Sequence, residues 1–154
     1  RCPVREEMMS GLLCGSDEQR FTRCYEHARG YHRRALLLAP QSSSVSLVFN
    51  VASLAVECYL IALCALHNIM PMNHNYRSLL TSASEKVTFT SALSEDIAAL
   101  DALFGICSID DYYHGTPDEQ DKARILSVCE ALDALIVAEQ KRSPALDHLR
   151  ENRG

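Results

Sequence analysis

The stretch that decides the fold is VSLVFNVASLAVECYLIALCAL, residues 45–66. Its single formal charge is Glu57, and most of its other side chains are Val, Leu, Ala, Ile, Phe or Cys. The few polar residues are spaced in a pattern. Ser46, Asn50, Ser53 and Glu57 follow one another at steps of four, three and four. On an α-helix such steps return to one face, because residues three and four apart are surface neighbours. Carried forward, the stripe passes Leu60 and reaches Cys64 and His67. The stretch reads as one apolar helix with a narrow polar seam. A helix that is apolar almost all round is either central in a protein or spans a membrane. Its length suffices for a span, but Asn50 and Glu57 lie near its middle, and intramembrane carboxylates are rare. The flanking segments carry soluble-type amphipathic faces that need a partner. The expectation is therefore the spine of a soluble bundle, with no membrane contact.

Upstream, residues 41–44 form a polar turn, and Ser44 is placed to cap this helix. Pro40 stops the helix before it. That first helix opens at Ser16-Asp17-Glu18-Gln19, a capping box with Ser16 at N-cap and Gln19 at N3. It runs from Asp17 to about Leu38, with an apolar stripe of Phe21, Cys24, Tyr25, Ala28, Tyr31, His32, Ala35, Leu36 and Ala39. Downstream of His67 comes a loop broken at Pro71, whose Met70 and Met72 are expected to cap the hydrophobic end of the bundle. A short helix follows from about residue 74 to 82, anchored by Leu79 and Leu80. Val87-Thr88-Phe89-Thr90 has local β propensity but no strand to pair with. Leu93, Ile97, Leu100, Leu103 and Phe104 define another helix, ended by Gly105. Thr116-Pro117-Asp118-Glu119 opens the last one, with Thr116 at N-cap, Pro117 at N1 and Glu119 at N3. It runs to about Lys141 with Ile125, Val128, Cys129, Leu132, Leu135 and Ile136 inward, and Ser143-Pro144 ends it. This order predicts an all-α fold, an up-and-down bundle of four to five helices with antiparallel neighbours over residues 17–142. Residues 1–16 are an N-terminal extension, and residues 143–154 are read as a flexible tail.

At 154 residues the chain fits one domain with a sizeable core. Trp is absent, so that core must be mainly aliphatic. The net charge of −5 gives no global pull toward nucleic acid. The seven cysteines are odd in number and form no CxxC pair, which reads as reduced thiols in a cytoplasmic protein. The first twenty residues hold several charges and no apolar run of the signal-peptide kind. There is no Gly-rich phosphate loop, no GxSxG and no HExxH. No cofactor is expected.

Four places can carry chemistry. The seam around Glu57 is either a solvent-facing strip or a buried carboxylate paired with an Arg or Tyr of the first helix, since a buried carboxylate must be hydrogen-bonded or protonated. Cys64 and His67 share a face and, with Glu57 and His74, could in principle hold a metal; the set matches no standard spacing, and no metal is expected. The first helix is the most basic piece, with Arg20, Arg23, Arg29, Arg33, Arg34, His27 and His32. Arg20, Arg23, His27 and Arg34 can share one face. That face is either a phosphate or RNA contact surface or a solvated exterior interleaved with Asp17, Glu18 and Glu26. Finally, Asp110-Asp111-Tyr112-Tyr113-His114 precedes a helix N-terminus. Its acids and Thr116 suit capping, and His114 is a candidate general acid/base without a nucleophile at readable spacing.

Three segments resemble the HEPN superfamily of nucleotide-associated helical domains. In the first helix, Tyr25, Ala28 and Tyr31 lead to Arg34-Ala35-Leu36-Leu37. In the central helix, Ala55-Val56-Glu57-Cys58-Tyr59-Leu60-Ile61-Ala62-Leu63 is similar to the recurrent A-x-E-x-x-L-K-A-L core, followed by His74 before Leu79-Leu80. Last come Asp111-Tyr112-Tyr113 and the helix opened by Thr116-Pro117-Asp118-Glu119. The resemblance covers roughly residues 17–141. It implies a four-to-five-helix bundle, often a homodimer, working near nucleotides or RNA, frequently beside a nucleotidyltransferase partner in toxin–antitoxin or defence systems. The family's ribonucleases carry an Arg-polar-x-x-x-His-like motif near the start of the last long helix. Here no Arg precedes His114 at that spacing, and no His follows Arg124 inside the helix. Arg20 and His27 have six residues between them, but on the wrong helix and with Phe21 in the usual polar place. The expectation is thus a non-catalytic dimerising or partner-binding module. A nucleotide or RNA surface would draw on Glu57, Arg20, Arg23, His27, Arg34, Asp111, Tyr112 and Tyr113. The alternatives are a metal-independent ribonuclease using Arg20 or Arg23 with His27 or His114, and a structural subunit without nucleic-acid contact.

Overall fold

The structure is a computed structural model that describes residues 15–41, 44–103 and 116–142. Among these residues the chain is all-α, with five helices and no strand: α1 (Asp17–Leu38), α2 (Val45–Leu66), α3 (Tyr76–Ser84), α4 (Ser91–Leu103) and α5 (Glu119–Arg142).

Local chemistry sets most of the boundaries. Ser16 Oγ accepts from Gln19 N at 3.2 Å and Gln19 Oε1 accepts from Ser16 N at 3.0 Å, so the expected capping box is formed. Ser44 Oγ accepts from Leu47 N at 3.1 Å and opens α2 as expected. The β-prone segment pairs with nothing. Val87 enters the core, and Thr90 Oγ1 accepts from Leu93 N to start α4. The start of α5 differs from expectation. The cap is Asp118, not Thr116: Asp118 Oδ1 accepts from Asp121 N at 2.8 Å and Asp121 Oδ2 accepts from Asp118 N at 3.0 Å. A carboxylate accepts more strongly than a hydroxyl and also favours the positive end of the helix dipole, so the later cap wins.

The short helix α3 begins two residues later than read and gets its cap from two places. Asn75 Oδ1 accepts from Ser78 N at 2.7 Å. Asp101, at the far end of α4, accepts from Tyr76 N and Arg77 N, each at 2.9 Å. Three amide groups of the first turn, which no helical bond can satisfy, are thereby paired. At the other end of α2, Asn68 takes φ 58°. Ile69 N donates to Cys64 O at 2.8 Å and Asn68 N to Ala65 O at 3.1 Å. This is a Schellman stop with Asn in the left-handed position, and Ile69 folds back onto the core.

The bundle is arranged around α2. From residue 55 to 66 every side chain of α2 is buried. It packs against α1, α3 and α5. The pair α1/α2 is antiparallel: Arg20 near the start of α1 reaches Met70 just beyond the end of α2, and His32 meets Tyr59. The pair α2/α5 runs in one direction, since Cys129 Sγ donates to Ala52 O at 3.4 Å and His67 meets Glu139 at 3.1 Å. Strict alternation through α3 and α4 would set α5 antiparallel to α2, so the expected up-and-down order does not hold for this pair. Among the described residues α2 is the one helix long and apolar enough to cross a membrane, and 78% of its most apolar window is buried inside the protein.

Three expectations about packing are corrected. Met70 and Met72 are 50% and 88% exposed and do not cap the core; the buried member of that loop is Pro71. Leu36 leaves the apolar stripe and is 51% exposed, and Leu37 and Leu47 are exposed as well. Leu135 is half-buried, and the inward row of α5 ends on Glu139 instead.

Candidate functional site

The polar seam of α2 divides. Ser46 and Asn50 keep solvent, but Ser53 and Glu57 are 1% and 3% exposed. The solvent-strip reading thus holds only for the first turns, and Glu57 is an interior carboxylate. Ser53 Oγ donates to Asn50 O at 2.6 Å. Cys64 Sγ points to Leu79 O at 4.0 Å, His67 turns to Glu139, and His74 is exposed, so these side chains do not converge. Among the described residues there is no cluster of His, Cys, Asp and Glu that could hold a metal.

The basic face of α1 also divides. Arg20 is 3% exposed, paired with Asp17, and donates to Met70 Sδ at 3.4 Å. Arg23 is half-buried. His27 and Arg34 are exposed, and the His27 ring lies 6.3 Å from that of Tyr31. Arg20 is therefore occupied in holding α1 to the loop after α2, apart from the surface that His27 and Arg34 present. Asp111, Tyr112, Tyr113 and His114 lie outside the described residues.

Between α1, α2 and α5 the structure assembles a polar and aromatic array that the spacing did not reveal. Tyr25 OH donates to Asp133 Oδ1 at 2.8 Å. Tyr59 OH meets His32 Nδ1 at 2.9 Å. The Tyr25 and Tyr59 rings are 6.3 Å apart, His32 stands edge-on to Tyr59, and Arg29 lies over Tyr25 at 5.6 Å. Burial lowers the pKa of His32, with Asp133 and Glu130 working the other way. Burial raises that of Tyr59, with Asp133 adding to it. Both shifts favour the neutral forms of the two groups. Each polar tip has a partner, as buried Tyr requires. The one sequence signal was Tyr59 itself, a phenolic hydroxyl in the most apolar part of the central helix. A second buried polar contact, His67 with Glu139, is extended by Arg142 at 3.4 Å. Cys24, Cys58, Cys64 and Cys129 are buried thiols in no disulfide, and burial pushes them up to about 11 or 12. They stay protonated and unreactive near neutral pH.

Among the described residues, the outward side of α1 carries an open depression. Glu26, His27, Gly30, Tyr31 and Arg34 line a shallow depression of about 420 Å³. It exists because Gly30 has no side chain; a Cβ placed there meets nothing within 4 Å. Arg33 is exposed beside it. Among the described residues Glu26, Arg33 and Arg34 form no ion pair, whereas Arg20, Lys122, Arg124 and Arg142 each have a carboxylate. The face can therefore offer both signs of charge without first breaking an internal pair. No known protein family, curated protein or solved structure matches this chain.

Proposed function

We propose that the chain is a non-catalytic, HEPN-like helical module that docks a protein partner through the outward side of α1. The observation that carries this reading is the exposed group of Glu26, Arg33 and Arg34 around the Gly30 depression, charged and without an ion pair among the described residues. Exposed Leu37, seven residues from Gly30, continues the same side toward the end of the helix. Charged rims next to apolar contacts are what protein interfaces use. The five-helix order and the interior Glu57 support the HEPN-like assignment. The ribonuclease alternative is weakened because Arg20 is tied to Asp17 and Met70. The test is an RNA cleavage assay on the wild-type chain with His27→Ala and His114→Ala beside it. Background cleavage in all three is expected; cleavage above background that either substitution abolishes would overturn the non-catalytic reading.

A nucleotide or RNA contact through Arg29, Arg33 and Arg34 is the second reading, favoured by three exposed guanidinium groups within two turns. Glu26 and the net charge of −5 count against it. Binding of single-stranded RNA that weakens steeply with salt and disappears in the triple Ala variant would establish it.

A further inference from the structure

We propose that Met70 is an oxidation site: its thioether takes one oxygen atom from a hydroperoxide, and Arg20 holds the resulting sulfoxide, so that the modification fastens α1 to the loop after α2 instead of loosening the bundle. Neither residue lines the Gly30 depression, so the site stands apart from the docking face.

Arg20 is 3% exposed and carries its charge into the interior. An interior guanidinium needs acceptors for its N–H groups. Asp17 takes Nη2. Nη1 donates to Met70 Sδ at 3.4 Å, and Nε has no hydrogen-bond partner among the described residues. A thioether sulfur is a weak acceptor, so the buried cation is only partly compensated. The sulfur itself is open to reagents, because Met70 is 50% exposed. A buried donor and an accessible sulfur thus meet in one contact. Met72, two residues on, is 88% exposed and has no such donor among the described residues. In the reaction a lone pair of Sδ attacks the outer oxygen of the hydroperoxide. The S–O bond forms as the O–O bond breaks, and the proton of the transferred hydroxyl passes to the displaced oxygen, which leaves as the alcohol. Sulfur gives up two electrons and the peroxide takes them. The product carries a strongly polar oxygen one bond beyond an atom that Arg20 already touches. Hydrogen bonds from a charged donor to such an oxygen belong to the strong class. Nη1 therefore gains a full acceptor where it had a weak one, and the polar group that oxidation creates meets a cation instead of an apolar wall.

The test treats the full chain with tert-butyl hydroperoxide, locates the added oxygen by mass spectrometry, and follows urea unfolding by circular dichroism. The wild type and Met72→Leu are expected to gain an oxygen at Met70 and to unfold at higher urea than before. Their unfolding constant should fall about tenfold, the scale of one hydrogen bond to a charged group. Met70→Leu has no sulfur at that position and is expected to show no such rise, which separates Met70 from the other methionines and from the thiols. Met70→Gln sets an amide oxygen near the place of the sulfoxide oxygen and is expected to be more stable than the wild type with no oxidant present. Arg20→Lys keeps the charge, but its single nitrogen cannot serve Asp17 and Met70 together, so oxidation is expected to leave its midpoint unraised. Should that variant fail to fold, Met70→Leu and Met70→Gln carry the test alone. An oxygen on Met70 that lowers the midpoint, or leaves it unmoved, overturns the proposal. So does an equal rise in Met70→Leu, and so does a Met70 that stays unmodified while Met72 is fully oxidised.

Discussion

His32 joins α1 to α2 through a half-buried contact between its Nδ1 and the Tyr59 hydroxyl. Burial holds the imidazole pKa below its usual value. A group whose folded pKa is depressed contributes stability that is present above the unfolded value and lost as the pH falls through the folded one. Unfolding free energy, measured by urea at several pH values, is therefore expected to drop from pH 7 to below the ordinary histidine range near 6.5. His32→Gln is expected to flatten that part of the profile. At this scale the sequence was informative about type and silent about partner. Tyr59 belongs to the family-like motif of the central helix and not to the polar residues that spacing picks out. That its partner lay on α1, and that Tyr25 would find Asp133 on α5, depended on packing across 108 residues of chain for the latter pair. Glu57 was likewise visible as a lone carboxylate, but its burial followed from how completely α1, α3 and α5 enclose α2.

Helix ends show the same division. Ser16 with Gln19, and Ser44 with Leu47, were legible because donor and acceptor are three residues apart. Asp101 and Tyr76 are 25 apart, and no periodicity connects them. Asp101→Ala releases two backbone amides of α3, and the expected loss is about 1–3 kcal/mol, the range for charged hydrogen bonds, read as a lower urea midpoint; Asp101→Asn, which keeps one acceptor, should lose less. Gly30 makes the converse prediction. Its helical backbone and empty surroundings mean that Gly30→Ala should raise the stability of the monomer by roughly 0.5–1 kcal/mol, because glycine in a helix interior pays the larger entropy cost. A residue that costs its own helix stability without any internal need for space is consistent with a need set by something outside the chain. Of the basic side chains grouped on α1 by spacing, His27 and Arg34 stayed on the outer side. Arg20 did not, since the loop carrying Met70 covers it, and loop paths are not written in helical periodicity.

The whole molecule depends on α2. Leu60 is 0% exposed in its centre, and Leu60→Ala should cost about 2–5 kcal/mol, measured by chemical denaturation. The apolar run of residues 45–66 makes this helix and its central place readable from the chain alone. Its neighbours were harder to read. The parallel pairing of α2 with α5 runs against the simple alternation of helices along the chain and has no local signal. The exposure of Leu36, Leu37 and Leu47 was not readable from helical spacing, which placed Leu36 on the apolar stripe.

The complete burial of residues 55–66 has a kinetic meaning. A segment covered on every side has no partial opening that leaves its neighbours in place. Its amide protons can reach solvent only when the other helices have let go. Hydrogen–deuterium exchange should therefore find the amides of residues 55–66 opening with the free energy of global unfolding, whereas the outward turns of α1 exchange through smaller local fluctuations. The stretch that is easiest to recognise in the chain would then be the last to meet water.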